Sequence, residues 1–218
     1  MRARHALGGE LLGVYAGGSW ALDDFVPGSS DLDVAVVTHG RPGADAIDDL
    51  LSAVDHAVLP CPARALELVL YSSEVAAGGT AEAGFELNLN TGAGTPGLVE
   101  LHGTTSEPHW YALDRSLLAQ RGRALWGPPA GDAFASAPRA MILLLLARSM
   151  DWHRDHADAQ AAVLNACRAL HFARTGRWAS KSEAARWMLR QPEAGDLVQA
   201  ALSTRQRHGG SSTAENRM

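Results

Sequence analysis

The sequence predicts an α+β protein with a mixed α/β domain at residues 1–129, an α-helical domain at residues 130–207 and a flexible tail at residues 208–218. Short apolar runs separated by Gly, Pro, Asp and Ser clusters fill the first part, which is typical of strands joined by turns. After the Gly127-Pro128-Pro129 break, apolar residues recur at helical spacing instead. The Gly- and Ser-rich end of the chain has no periodicity and predicts the tail. Since the chain has 218 residues, each main part is long enough to bury a core.

The first part contains four candidate strands and two candidate helices. Strands are predicted at residues 11–15, 32–38, 65–71 and 85–90. Helices are predicted at residues 44–54 and 110–120, and a short segment at residues 123–126 follows them. The alternation of apolar and polar residues in the fourth strand gives it one apolar face. Together these elements predict a mixed sheet with helices packed on it.

The second part predicts an α-helical bundle. Its main helices are predicted at residues 138–150, 159–174 and 181–189. The middle helix carries one apolar stripe at helical spacing. The third opens with a capping box, in which Ser180 and Glu183 satisfy free amides of the first turn.

The bulk composition excludes several classes of protein. Hydrophobic residues make up 46% and charged residues 20% of the chain, as in ordinary globular proteins. The formal charge of −5 disfavours non-specific nucleic-acid binding, which depends on Lys and Arg that replace phosphate counterions. The longest apolar stretch, residues 141–147, is too short to cross a bilayer, and the N-terminus lacks the apolar run of a signal peptide. We therefore expect a cytoplasmic protein that binds neither nucleic acid nor membranes, with Cys61 and Cys167 reduced.

A tight Gly17-Gly18-Ser19 turn follows the first strand and precedes two closely spaced carboxylates, Asp31 and Asp33. A turn without large side chains lets backbone amides and the Ser19 hydroxyl approach phosphate oxygens. Because residues two apart in a strand point to the same face, the two aspartates should project together. Converging carboxylates repel unless a cation lies between them, and Mg²⁺ held by carboxylates and substrate phosphates is the usual solution. The pair therefore predicts a metal site.

A third carboxylate, Glu67, lies in an apolar run where a lone acid would be costly to bury. If its strand neighbours the strand at residues 32–38, Glu67 joins the two aspartates. Each feature alone has a simpler explanation, because Asp-x-Asp pairs and Gly-Gly-Ser turns are common in loops and Glu67 could lie on a solvated edge. Their combination in this order favours a catalytic site.

This order of a Gly-Ser turn, an Asp-x-Asp pair and a later strand acid resembles the nucleotidyltransferase superfamily with the polymerase-β-like fold. Arg168, the Arg174-Thr175-Gly176-Arg177 turn and the segment that begins Ser180-Lys181-Ser182-Glu183 narrow the resemblance. They are similar to the helical domain of the aminoglycoside nucleotidyltransferases, the streptomycin and spectinomycin 3''-adenylyltransferases and their 9-adenylyltransferase relatives. The similarity covers residues 11–201. It implies a Mg·ATP-dependent adenylyltransferase that moves AMP to a hydroxyl of an aminoglycoside or aminocyclitol antibiotic and so gives resistance.

The resemblance also implies roles for individual residues. Asp31 and Asp33 would hold Mg²⁺, and Glu67 would deprotonate the antibiotic hydroxyl. The implied ATP-binding residues are Gly18, Ser19, Ser30, Arg168 and Lys181. Lys181 also lies in the first turn of a capped helix, where its charge adds to the positive helix end. The ordinary interpretation of Arg168 and Lys181 is that of solvated surface charges.

For the acceptor, the resemblance points to three residues. Asp158 falls where the family has a drug-binding acid, and Trp152 and Asp155 match, with local shifts, the Trp and second acid of streptomycin-accepting members. Counting back from Asp158 places Arg154 at the position of that second acid, and a cation there disfavours a cationic substrate. The expected acceptors are spectinomycin, streptomycin or both.

The resemblance implies a monomer whose partners are ATP and a small-molecule antibiotic. Two other functions are compatible with the sequence. One is nucleotidyl transfer to a different acceptor, such as a metabolite or a protein hydroxyl. The other is a catalytically silent nucleotide-binding or toxin–antitoxin module, because family members usually carry longer helical segments at both ends.

Overall fold

The computed structural model describes residues 2–59, 63–93, 95–103, 107–192 and 195–215, the last eight of these by their backbone alone. Its strands are β1 (Leu11–Ala16), β2 (Leu32–Thr38), β3 (Leu66–Ser72), β4 (Leu87–Gly92), β5 (Thr95–Leu101) and β6 (Arg123–Trp126). Its first helices are α1 (Arg2–Leu7), α2 (Gly18–Ala21), α3 (Ala44–Val54), α4 (Ser73–Ala77), α5 (His109–Arg121) and α6 (Ala130–Ala133). Four further helices are α7 (Arg139–His156), α8 (Ala159–Thr175), α9 (Lys181–Met188) and α10 (Asp196–Glu215).

The six strands form one mixed sheet in the order β5-β4-β3-β2-β1-β6. β2 and β3 run parallel, whereas the other neighbouring pairs are antiparallel. Parallel strands need a crossover, and α3 supplies it between β2 and β3. The four strands predicted from the sequence are confirmed to within two residues at each end. β5 is not among them, because it contains Pro96 and Gly97 and is largely exposed, so it lacks the usual strand pattern.

Helices cover both faces of the sheet. α1 and α3 pack on one face, where Leu7 and Leu50 meet Val36 of β2. α5 and α6 pack on the other, where Tyr111 lies in the same core as Val37. Successive residues of β2 therefore point to opposite layers, and Asp33 shares the α5 face with Val37. This alternation directs the predicted metal ligand toward the helical half of the molecule.

The second part of the chain is helical, and α5 connects it to the sheet. α7 packs against α5 and α8, and their shared core contains Ile142, Phe172 and Trp178. A further core joins α8, α9 and α10. The Ser180 hydroxyl accepts a hydrogen bond of 3.0 Å from the Glu183 amide, so the predicted N-cap of α9 is confirmed. The α+β fold class with a C-terminal helical part is confirmed as well.

At the C-terminal end, the described backbone of the predicted tail, residues 208–215, is helical. The backbone continues as α10 to Glu215, although Gly209 and Gly210 are poor helix formers. A helix already nucleated by packing gains one hydrogen bond for each residue added, which is enough to extend it. Cys61 lies outside the described residues, and Cys167 is buried and unpaired. In the described part of the chain, no helix has the length and apolarity that a membrane span requires.

Candidate active site

Asp33 and Glu67 lie side by side on adjacent parallel strands. The register of β2 and β3 pairs these two residues directly, so both carboxylates project from the same face of the sheet. The adjacency predicted for Glu67 is therefore confirmed. Among the residues that the structure describes, neither side chain has an ion-pair partner within 4.0 Å. Two adjacent acids without a cationic partner favour the binding of a cation between them.

Asp31 lies at the entrance to the same site and is held by Arg64. The Arg64 Nε donates to Asp31 Oδ1 at 2.9 Å, and a second bond joins the guanidinium to Oδ2. The Arg64 side chain is 61% exposed and the Asp31 side chain 18% exposed. A surface pair of this kind is weak, so Arg64 orients the Asp31 carboxylate without making it unavailable.

The Gly17-Gly18-Ser19 turn packs directly on Asp33. The Gly17 amide donates to the Asp33 carbonyl at 2.9 Å. Gly18 has a φ of +49°, and a Cβ at this position would overlap the Asp33 carboxylate. Glycine is therefore required twice over, by backbone conformation and by space. The Ser19 Oγ is buried without a hydrogen-bond partner in the described structure, which suits an incoming anion.

The helical half brings two cations to the opposite side of the site. Arg168 projects from α8, with its guanidinium over the Trp178 ring at 5.7 Å, and its Nε is buried without a partner in the described residues. Lys181 is the first residue of α9. Both charges act on Asp33 and oppose the rise of its pKa. Arg168 and Lys181 are thus partly buried charges that act on Asp33, and not fully solvated surface charges.

The pKa values of Asp33, Glu67 and Lys181 are all shifted toward the neutral forms of these side chains. Burial, followed by the Asp31 charge, raises the pKa of Asp33 to about 6. Burial and the charges of Asp33 and Asp31 raise the pKa of Glu67 to about 8. Burial and the neighbouring Arg168 lower the pKa of Lys181 to about 8. The sheet side favours a cation and the helical side favours an anion, which matches a metal–phosphate ligand.

The structure adds Asp114, which the sequence analysis missed. It lies on α5, and its carboxylate is reached by water but lies within the cleft beside Asp33 and Arg168. Burial in this cleft and the charge of Asp33 raise the pKa of Asp114 to about 7. An acid in a half-polar helix ordinarily faces solvent, so the sequence carries no signal for this position.

A buried ion pair joins the two halves beside the site. Arg205 on α10 binds the Asp24 carboxylate at 3.0 Å and the Asp24 carbonyl at 2.7 Å. The same carboxylate accepts a bond of 3.2 Å from the Ser182 amide in the first turn of α9. Each ion-pair side chain is 12% exposed. This pair fixes α9, and hence Lys181, against the loop that follows α2.

Of the three residues predicted to bind the acceptor, two are exposed and bonded to neighbouring residues of the chain, and one contacts a residue of the cleft. The Asp158 carboxylate caps α8 by accepting from the Ala161 amide at 2.7 Å, and Asp158 is exposed. Asp155 is exposed and binds Arg154 at 2.9 Å. The Trp152 ring meets Trp110 edge-on at 5.2 Å. Of the three, Trp152 is joined to the cleft by a direct contact, because Trp110 lines the cavity that contains Asp114.

Ser30, the remaining residue predicted to bind ATP, has a hydrogen bond within the protein. The Ser30 hydroxyl is buried and accepts a bond of 3.0 Å from the Val26 amide. Over the ranges that the structure describes, no group of three or more His, Cys, Asp or Glu side chains is arranged to hold a metal. The predicted metal site therefore consists of Asp31 and Asp33, and further ligands would have to come from substrate phosphates and water.

Comparisons with known proteins agree with this geometry. Residues 134–215 match the family model of the aminoglycoside adenylyltransferase C-terminal domain. A search of curated protein sequences gave no match. The fold is similar to that of spectinomycin adenyltransferase AAD(9) from Enterococcus faecialis, solved with ATP and spectinomycin. The TM-score is 0.63 at 16% identity, over 96% of this chain and 86% of that chain. These findings agree with the resemblance predicted from the sequence: residues 134–215 match the C-terminal domain of the aminoglycoside adenylyltransferases, and the fold of the chain is that of the spectinomycin adenyltransferase structure.

Proposed function

We propose that the chain transfers AMP from ATP to a hydroxyl of an aminocyclitol antibiotic, spectinomycin or streptomycin, and thereby gives resistance. The observation that carries this proposal is the pairing of Asp33 with Glu67 opposite Arg168 and Lys181. The similar structure with ATP and spectinomycin supports the same substrate pair. Because ATP is the donor, the expected compartment is the cytoplasm. We expect the enzyme to be a monomer, as the resemblance implies.

The triphosphate of ATP would bind between the Gly17-Gly18-Ser19 turn and the two cations. Ser19 Oγ and Arg168 Nε, both buried and unpartnered in the described structure, would donate to phosphate oxygens. Lys181 would add a point charge at the N-terminus of α9, whose free amides also attract anions. A bound polyanion would in turn favour the protonated form of Lys181.

The residues at the sheet edge fit Mg²⁺. Asp33 is unpaired, Asp31 keeps a partly exposed carboxylate, and Gly18 leaves space beside Asp33 that a Cβ would fill. Hard oxygen ligands of this kind suit Mg²⁺ when substrate phosphates complete its shell. When bound, Mg²⁺ would supply Lewis-acid polarisation of the phosphate and neutralise charge in the transition state.

Glu67 would act as the general base. Its carboxylate would take the proton of the acceptor hydroxyl while that oxygen attacks the α-phosphorus of ATP. The bond from this phosphorus to the bridging oxygen breaks, AMP is esterified to the acceptor, and pyrophosphate leaves. Glu67 must be ionised for this step, and neutralisation of the charges on Asp33 and Asp31 would lower its raised pKa.

The acceptor would enter from the side of α7 and α8. Trp152, Asp155 and Asp158 remain the proposed acceptor contacts, with Trp152 supported by its packing on Trp110. Arg154 is paired with Asp151 at 2.7 Å and with Asp155, so its charge is partly neutralised. The repulsion that it would exert on a cationic antibiotic is correspondingly smaller.

The test is pyrophosphate release from Mg·ATP with spectinomycin and streptomycin offered separately. We expect pyrophosphate release with at least one of them. The Glu67→Gln variant should give no release, because an amide cannot act as a base, but it should still bind ATP. Release with spectinomycin alone would show that Trp152 and Asp155 do not form a streptomycin-binding pocket. ATP binding without release, over both antibiotics and a panel of other hydroxyl acceptors, would indicate a catalytically silent module.

A further inference from the structure

A small cavity opens beside the proposed active site between α5, α7 and α8. Its volume is about 60 Å³, and its walls include Trp110, Asp114, Ser149, Asn165 and Arg168. This space holds a few waters or one small terminal group of a larger molecule. Carboxylate, guanidinium, amide, hydroxyl and indole groups, together with apolar side chains, thus surround a space too small for a whole nucleotide or antibiotic.

Asp114 is the acidic group of this cavity, and it is open to solvent. Its carboxylate has no hydrogen bond or ion pair in the described part of the chain. Its sequence neighbour Arg115 is committed elsewhere, since its guanidinium donates to the carbonyls of Thr80, Glu82 and Ala83. Arg168 lies close enough to interact with its charge but stacks on Trp178. The carboxylate is therefore available to a positively charged group from outside.

Trp110 lies one helical turn before Asp114 on the same side of α5. Both residues line the cavity, so an indole and a carboxylate are presented together. A protonated amine is the group that this combination recognises, through an ion pair and a cation–π contact. Asp114 would repel phosphates, whereas Arg168 in the same cavity would attract them, so the cavity borders the nucleotide subsite and offers its Asp114 side to an amine.

We propose that Asp114, with Trp110, is a specificity-determining residue that holds a protonated amino group of the acceptor. The inference deepens the proposed function and rests on it. The cavity shares Arg168 with the proposed phosphate site, so a group held there lies beside the bound nucleotide. The charge of Asp114 also acts on Asp33 and Glu67. The amine would fix the acceptor so that one hydroxyl meets Glu67, and acceptors without an amine at that distance from the hydroxyl would be excluded.

The test compares Asp114→Asn with the wild type in steady-state AMP transfer to spectinomycin, which carries methylamino groups. We expect the KM for spectinomycin to rise about tenfold or more, and the KM for ATP to change less than about twofold. The dependence of the spectinomycin KM on ionic strength should weaken as well, because the lost contact is charged. Asp114→Glu should restore part of the affinity, which a role in folding alone would not explain.

The matched control is Asp48→Asn, which removes one exposed acid from α3 on the opposite face of the sheet. Its kinetic constants should equal those of the wild type. N-acetylated spectinomycin gives a second measure: the wild type should discriminate against it, and Asp114→Asn should do so much less. An unchanged spectinomycin KM in an active Asp114→Asn enzyme would overturn this inference alone. An inactive wild type would overturn the proposed function, and this inference with it.

Discussion

Glu67→Gln should stabilise the protein while it abolishes AMP transfer. Glu67 is a partly buried carboxylate beside Asp33, and the two have no ion-pair partner in the described structure. The amide of Gln is nearly the same size and carries no charge. It therefore removes the cost of burying the acid and, with it, the ability to accept a proton.

The magnitude follows from the pKa of Glu67, which rises from an ordinary 4.5 to about 8 in the folded chain. Because the folded-state pKa is the higher one, the folded chain binds more protons between these values and its stability falls as pH rises. The cost grows by about 1.4 kcal/mol for each pH unit and reaches roughly 3 kcal/mol at neutral pH. Allowing for solvent access to the cleft, we expect the variant to gain about 1–3 kcal/mol at neutral pH and little at about pH 5.

The assay is chemical denaturation of both proteins across this pH range, without ATP and with a chelator present. A gain of this size should also raise the Tm by a few degrees. The control is Glu86→Gln, because the Glu86 carboxylate is more enclosed than that of Glu67 but binds Arg41 at 2.9 Å. Loss of the Glu86 charge should lower the free energy of unfolding or leave it unchanged.

The pH dependence is the decisive part of the result. If Glu67→Gln were no more stable than the wild type, or if the difference were the same at both ends of the pH range, the carboxylate would not be desolvated. The electrostatic argument for Glu67 as a poised base would then fail, even if the variant were inactive.

Three further changes test the rest of the site. Gly18→Ala should abolish pyrophosphate release but keep a native circular dichroism spectrum, because its Cβ would displace the Asp33 carboxylate; normal turnover would contradict the packing of this turn. Lys181→Met should raise the KM for ATP about tenfold or more. In the wild type, kcat/KM for ATP should fall above about pH 8 as Lys181 loses its proton. A pH profile with no such fall would show that Lys181 does not bind the phosphates. Asp24→Asn should destabilise the protein by about 2–3 kcal/mol in denaturant titrations, because it leaves the enclosed Arg205 charge without its partner; a loss below about 0.5 kcal/mol would show that water already screens the pair.

Local patterns were sufficient to predict most of the sheet and the centre of the site. β2 and α3 have the predicted bounds, because an apolar run and an amphipathic repeat are each read within a few residues of sequence. Asp33 and Glu67 were predictable for the same reason: an acid inside an apolar strand is a local anomaly. The edge strand β5 was missed, since an exposed strand with Pro96 and Gly97 has no such pattern.

The parts of the site that depend on packing between distant elements were not predictable. Asp114 looks like an ordinary polar position of α5, and its place in the cleft depends on how α7 and α8 pack against that helix. The pairing of Asp24 with Arg205 joins residues 181 positions apart and leaves no trace in either local sequence. For Arg154, the sequence suggested an effect that the structure reduces. Its position along the chain predicts a cation that repels a cationic substrate, but the structure pairs it with two aspartates.

The distribution of unpaired charge explains why the two halves form a binding site instead of a closed interface. The sheet side presents Asp33 and Glu67, the helical side presents Arg168 and Lys181, and the charges interact without forming ion pairs in the described structure. Where complementary charges do meet, at Asp24 and Arg205, the halves are fixed and no ligand can enter. Direct pairing throughout would increase stability and remove the site. Leaving both sides unpaired lowers stability, so a ligand that carries a cation on one side and phosphates on the other should stabilise the fold when it binds.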